Sequence, residues 1–200
     1  MERGSRKRRT GVLTENGAGT SARYVEQLKT YGDPERHPKV RAFSVAYVAA
    51  VPKLSTPLSG ADQAGARFFA VADLESGNPR FAFDHFGIVA DAVERARGEL
   101  EGDGRLAVSF LDELFTIPGL RRVYEAVWGG PVHRPDFGRK VRSVEGFLVP
   151  NGECDSNTGG PPAPLYRLGP NTRFHPPMAR TAMLLAQPVK KSGARPSAPG

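Results

Sequence analysis

Thr116-Ile-Pro-Gly-Leu-Arg-Arg-Val-Tyr-Glu-Ala-Val-Trp128, Gly129-Gly-Pro-Val-His-Arg-Pro135 and Asp136-Phe-Gly-Arg-Lys-Val-Arg-Ser-Val144 form one continuous stretch. Its reading decides the fold. Leu120, Val123, Tyr124, Val127 and Trp128 recur at helical period and mark one apolar face. Thr116 is placed to cap that helix, and Gly129-Gly130 to end it. After a short turn over Pro131 to Pro135, a second helix is predicted from about Asp136, with Phe137, Val141 and Val144 inward. Arg139, Lys140, Arg142 and Ser143 are left facing out. Gly146 to Pro150 reads as a strand, and Ala163 to Leu168 as its return across a loop rich in Gly, Asn and Pro. Two helices on a tight turn, the second carrying bare cations, followed by a hairpin, predict a winged helix that puts its second helix in a DNA groove.

The formal net charge of +7 over 200 residues suggests nucleic acid, but its location tempers that reading. Residues 1–20 carry +3 and residues 171–200 carry +5, leaving the central 150 residues at −1. The excess therefore sits in two ends, read as a disordered basic leader (1–20) and a disordered basic tail (170–200), able to add salt-sensitive affinity for DNA. The single Cys154 excludes an intramolecular disulfide framework. No apolar run approaches bilayer length and no signal-peptide pattern opens the chain, so a cytoplasmic location with no membrane partner is expected.

In the first half, Arg23 to Tyr31 and Val40 to Pro52 read as strands, the latter through Phe43, Val45, Tyr47, Val48 and Val51. Ala66 to Leu74 reads as a further strand. Asp84 is placed to cap a helix to about Leu100, with Ile88, Ala92, Val93, Ala96 and Leu100 buried and Arg95 and Arg97 on the solvent side. Gly102-Asp103-Gly104 is the candidate boundary between a first domain (21–102) and the winged helix (105–169), with Arg105 to Leu114 a helical lead-in. Met183-Leu184-Leu185 is a small apolar island in the tail.

The order and spacing of several short pieces resemble the Nudix family, in the branch that carries a C-terminal winged helix. They are Tyr24-Val-Glu-Gln-Leu28, Gly32-Asp-Pro-Glu-Arg36, Ser44-Val-Ala-Tyr47, Ala66-Arg-Phe-Phe69 with Asp73-Leu74, and Phe83-Asp-His85. Phe115-Thr-Ile117, Val123-Tyr-Glu125, Asp136-Phe-Gly-Arg-Lys140 and Leu165-Tyr-Arg167 follow. The resemblance implies an α/β (α+β) chain: an incomplete Nudix-like α/β/α sandwich followed by a winged helix-turn-helix. It implies either an ADP-ribose-type pyrophosphatase or an ADP-ribose-responsive repressor of NAD metabolism. In that branch the catalytic box uses glutamates on one helix face to hold Mg²⁺. Only the tail of such a box aligns here, through Thr10-Gly11-Val12, so the paired glutamate positions fall on Arg8 and Arg9. Arginine cannot ligate Mg²⁺, so no catalytic residue, no metal site and no cofactor is expected in this chain. Either the full box is encoded upstream, or the gene is a shortened relative without chemistry.

The expected reading is a nucleotide-responsive regulator. The alternatives are a truncated hydrolase of a nucleoside diphosphate derivative and a non-functional fragment. The expected DNA-binding set is Arg134, Arg139, Lys140, Arg142 and Arg167, against the plainer reading of a solvated helix face with Asp136 paired to Lys140. The family pattern at the second helix reads Asn-Phe-Arg-Arg-Lys, and Asp136 and Gly138 depart from it. Arg36 and Arg41 lie where the branch approaches its nucleotide, and are the expected ligand-binding residues. Asp84 and His85 read as a cap and a first-turn surface residue, and Cys154 has no histidine partner that would make it a nucleophile. The partners expected are duplex DNA, a nucleotide sugar such as ADP-ribose, and a second copy of the chain.

Overall fold

The computed structural model describes residues 22–52, 69–75, 80–156 and 161–185. The leader, the box remnant at Arg8 and Arg9, residues 66–68 of the expected third strand and residues 186–200 lie outside the described residues.

Strands β1 (Tyr24–Tyr31) and β2 (Ser44–Ala50) form an antiparallel hairpin, Tyr24 opposite Ala50 and Tyr31 opposite Ser44, with a bulge between Gln27 and Lys29. Alternation along β2 puts Ser44, Ala46, Val48 and Ala50 on the inner face. Phe43, Val45 and Tyr47 are 66%, 50% and 39% exposed, so the large residues that marked this segment as a strand point away from the core. Residues 71–74, expected at the end of a strand, instead lie in a one-turn helix, α1 (Val71–Glu75).

Helix α2 (His85–Gly102) lies against the hairpin through polar contacts. Tyr31 Oη donates to Asp91 at 2.8 Å and Lys29 Nζ reaches the same carboxylate at 3.2 Å. Arg95 pairs with Glu26, which also accepts from Tyr24. The Arg95 hydrogen bond holds the Glu26 carboxyl below its usual range, and those from Tyr31 and Lys29 do the same for Asp91. A carboxylate depressed in the folded state adds stability above its unfolded pKa and loses it as pH falls toward the folded value. Urea midpoints followed by circular dichroism should therefore fall between about pH 6 and about pH 3. A flat profile would remove these pairs from the stability of the hairpin–helix contact.

Only Leu100 of the expected apolar face of α2 is fully covered, and Arg97, expected in solvent, is 9% exposed. Its guanidinium is paid for by partners: Nε donates to the Val127 carbonyl at 2.9 Å and Nη1 to Glu94 at 2.6 Å.

The core lies further along. Helix α3 (Arg105–Ser109) is the expected lead-in, and Leu106, Ala107 and Val108 are buried. Helix α4 (Ile117–Trp128) begins where Thr116 Oγ1 accepts from the Gly119 amide at 3.1 Å, and ends at Gly129 with φ 78°, a left-handed stop that a side chain would strain. Leu120, Tyr124 and Trp128 are its buried face. Helix α5 (Arg134–Ser143) starts two residues before Asp136 because Pro135, with fixed φ and no N–H to lose, fits a first helical turn. Tyr124 packs edge-on to Trp128 and Phe137, each with ring centroids 4.9 Å apart. Strands β3 (Leu148–Asp155) and β4 (Ala163–Leu168) form the second hairpin, Leu148 opposite Leu168, with an irregularity between Pro150 and Cys154. The first strand thus runs past its expected end at Pro150. Phe115 and Tyr166 exchange both backbone hydrogen bonds, at 3.0 and 2.9 Å, tying the hairpin to the lead-in of α4.

Residues 170–185 correct the expectation of a disordered tail. Phe174 is 4% exposed against Phe147, and Met178 is fully buried. Helix α6 (Arg180–Met183) follows, and Leu184 bridges to Val132. The Gly102-Asp103-Gly104 break is covered by this segment, for the Gly104 amide donates to Thr172.

The Tyr124 hydroxyl is buried without a hydrogen-bond partner among the described residues. Since an unsatisfied buried hydroxyl costs about 1–3 kcal/mol, Tyr124→Phe should leave stability unchanged or raise it by about 1 kcal/mol in urea titration. A marked loss would mean that the oxygen has a partner.

Candidate nucleic-acid interface

The exposed face of α5 is built by its inward one. Phe137 and Val141 are fully buried, which turns Arg139 and Arg142 to solvent. Arg134 is exposed and makes no ion pair among the described residues. Arg139 is 76% exposed and lies 3.2 Å from Asp136, which also takes His133 Nδ1 at 2.6 Å. Asp136 therefore pairs one turn away in each direction, and not with Lys140 as expected. The Lys140 ammonium donates instead to the Pro176 carbonyl, and Arg142 to the Gly138 carbonyl at 3.2 Å. Arg167, on β4, pairs with Glu113, the two side chains 48% and 76% exposed. Pairs this open to solvent contribute about 0–1 kcal/mol, so a phosphate could displace the carboxylate from Arg139 or Arg167.

Gly138 is buried, and a Cβ there would meet Arg142 Nη1 at 3.0 Å, the far end of a side chain that can swing away. Gly138→Ala should stabilise the chain by about 1 kcal/mol through helix propensity. Chemical denaturation checks it, and destabilisation would mean that Arg142 cannot move.

The two expected ligand-binding arginines separate. Arg36 is committed: Nε and Nη2 hold the two oxygens of Asp84 at 2.9 and 3.1 Å, and Nη1 donates to Ser44 Oγ at 2.6 Å. Its side chain is 6% exposed and Nη1 also donates to the Tyr31 carbonyl at 3.3 Å, so four of its five N–H donors are engaged within the fold and Arg36 acts as a structural clasp between the hairpin and α2. The same contact takes Asp84 away from capping: it occupies the position before α2 without a side-chain cap bond. Arg41 is exposed, its guanidinium 5.0 Å from the Phe43 ring centroid. Among the described residues no group of three or more His, Cys, Asp or Glu could hold a metal, and no helix is long and apolar enough to cross a membrane.

Sequence reasoning missed the contribution of residues 170–185 to this face. The only signal was Phe174 and Met178 at i, i+4 followed by Met183-Leu184.

A lead-in helix, two helices on a tight turn and a β-hairpin, with the second helix presenting cations, define a winged helix-turn-helix module. Residues 107–168 match the family model of the NrtR DNA-binding winged helix domain. The ADPR responsive transcriptional repressor NtrR of Acinetobacter baylyi is 24% identical over 149 residues, covering 74% of this chain and 58% of that protein. The chain thus spans little more than half the length of this relative. The crystal structure of Shewanella oneidensis NrtR complexed with a 27mer DNA superposes with a TM-score of 0.67 at 28% identity, over 81% of this chain and 73% of that one. A second crystal structure of Shewanella oneidensis NrtR gives 0.64 at 28% identity, with the same coverage. A MutT/nudix family protein from Enterococcus faecalis gives 0.57 at 22% identity, over 78% and 66%, a likeness of fold alone. The chain is thus similar to proteins of Nudix-like fold that carry an NrtR-type winged helix.

Proposed function

We propose that this chain is a nucleotide-responsive transcriptional regulator whose winged helix binds duplex DNA. The observation that carries this reading is the face of α5. Arg134, Arg139 and Arg142 stand exposed there, on a module similar to one solved on a DNA duplex. Arg167 flanks them on the wing, and Lys140, bonded to the Pro176 carbonyl, lies on the same helix. The ligand proposed for the Nudix-like part is a nucleotide sugar such as ADP-ribose, after the similar repressor of Acinetobacter baylyi, with Arg41 as the remaining candidate contact. Arg8 and Arg9 at the glutamate positions of the box support a chain without hydrolase activity or a bound Mg²⁺ of its own. A cytoplasmic location and a homodimer matched to paired half-sites complete the proposal.

The test is electrophoretic retention of a randomised duplex pool at low salt, with and without ADP-ribose. Retention of a selected sequence, relieved by ADP-ribose, is the expected result. Failure to retain any duplex defeats the DNA assignment. Retention indifferent to ADP-ribose defeats the nucleotide response. Turnover of ADP-ribose with Mg²⁺ would instead favour the hydrolase.

A further inference from the structure

The matched winged-helix domain ends at residue 168, yet the chain goes on to make an ordered, partly buried connection. One end of residues 170–185 is fixed to the end of α2. The Phe174 amide donates to the Gly102 carbonyl at 2.9 Å, and the Met178 amide to the Glu101 carbonyl at 2.7 Å. The Arg180 amide donates to the Glu101 carboxylate at 3.0 Å. Phe174 and Met178 themselves fill the core beside Leu100 and Leu106. The other end is fixed to the turn that leads into α5. The His133 amide donates to the Met183 carbonyl at 2.8 Å, and the Leu185 amide to the Pro131 carbonyl at 2.9 Å. Between the two, the Pro176 carbonyl accepts from Lys140, in the middle of α5.

We infer that residues 170–185 are a strap that sets the orientation of the DNA-facing helix α5 from the C-terminal end of α2, with Met178 and Leu185 as its positioning residues. The geometry gives a physical reason. Helix α5 meets the rest of the core chiefly through Phe137 and Val141, a narrow contact about which a ten-residue helix can rock. Backbone hydrogen bonds at its entry and a lysine tether at its middle remove that freedom. Because the far end of the strap grips Glu101 and Gly102, a shift of α2 would carry α5 with it. The consequence for DNA rests on the function proposed above, whereas the mechanical link does not.

The experiment uses the full chain and two variants. Met178→Ala loosens the α2 end while leaving every hydrogen bond at the α5 entry in place. Leu185→Pro removes one hydrogen bond at the other end, and Leu184, at φ −72° and ψ 132°, already has the backbone that a following proline requires. Amide exchange at His133 is compared with exchange at Tyr124 in α4. The strap predicts that either variant speeds His133 by about tenfold or more relative to Tyr124. Equal acceleration of both amides, or none, overturns it. If Met178→Ala does not fold, Leu185→Pro carries the same comparison. Affinity for a duplex selected from the randomised pool should fall by about tenfold with an unchanged salt slope, since every phosphate-facing cation remains. Loss of selected and scrambled duplexes in equal measure also overturns the positioning role. A wild-type chain that retains no duplex counts against the regulator, and the exchange ratio then decides the strap alone.

Discussion

Replacing Arg139 and Arg142 together with alanine is expected to remove sequence-selective duplex binding while leaving the fold intact. Arg139 is largely exposed and, among the described residues, Arg142 bonds a carbonyl of its own helix, so neither holds the core together. On DNA each would do one of two things. A guanidinium on a phosphate contributes about 0.9 to the slope of log affinity against log salt, so two lost contacts should flatten the slope by about 1.8. A guanidinium bidentate to guanine discriminates by about 1–3 kcal/mol, so losing it relaxes selectivity more than it alters the slope. Either way affinity should fall on the order of a hundredfold or more, a loss that Asp136 increases once Arg139 no longer screens it. Fluorescence anisotropy with selected and scrambled duplexes across a salt series separates the two contributions. Unchanged affinity and slope would take this helix face out of the interface.

Phe137→Ala is expected to cost about 3–5 kcal/mol, because the ring is fully buried and its neighbours are held by other elements, so the space would not close. Tyr124, edge-on to it, is itself fixed by Trp128 on the far side. Against a total of about 5–15 kcal/mol for a domain, that loss removes much of the margin. Helix α5 should detach first, since Phe137 and Val141 are its anchors. Urea unfolding followed by circular dichroism gives the magnitude. A cost below about 1 kcal/mol would mean that α5 is seated by something other than its own apolar stripe.

The winged helix was legible in the sequence because its signals are local. An apolar stripe, a threonine cap and a glycine stop lie within one helix length and agree with one another. Other features were hidden because their partners are far along the chain. Arg36 looked like a ligand contact until Asp84, 48 residues away, is seen to occupy it. Arg97 looked like a solvated charge until the Val127 carbonyl is found waiting for it. On β2 the alternation was visible but its polarity was not. The hairpin turns Ser44, Ala46, Val48 and Ala50 inward and leaves Phe43, Val45 and Tyr47 exposed. The last segment failed for a related reason. Two apolar residues among prolines and arginines show no period, and only the shape of the core around Leu100 and Phe147 makes a place for them.

The single tryptophan has a consequence of its own. Trp128 is buried at the C-terminal end of α4, and its indole N–H donates to the Arg97 carbonyl of α2 at 3.1 Å. The molecule therefore carries one indole fluorophore, selectively excited at the red edge of the protein absorption band, at the seam between its Nudix-like half and its winged half. Any separation of the two would let water reach the indole and shift its emission to the red, so an unlabelled sample reports on its own junction.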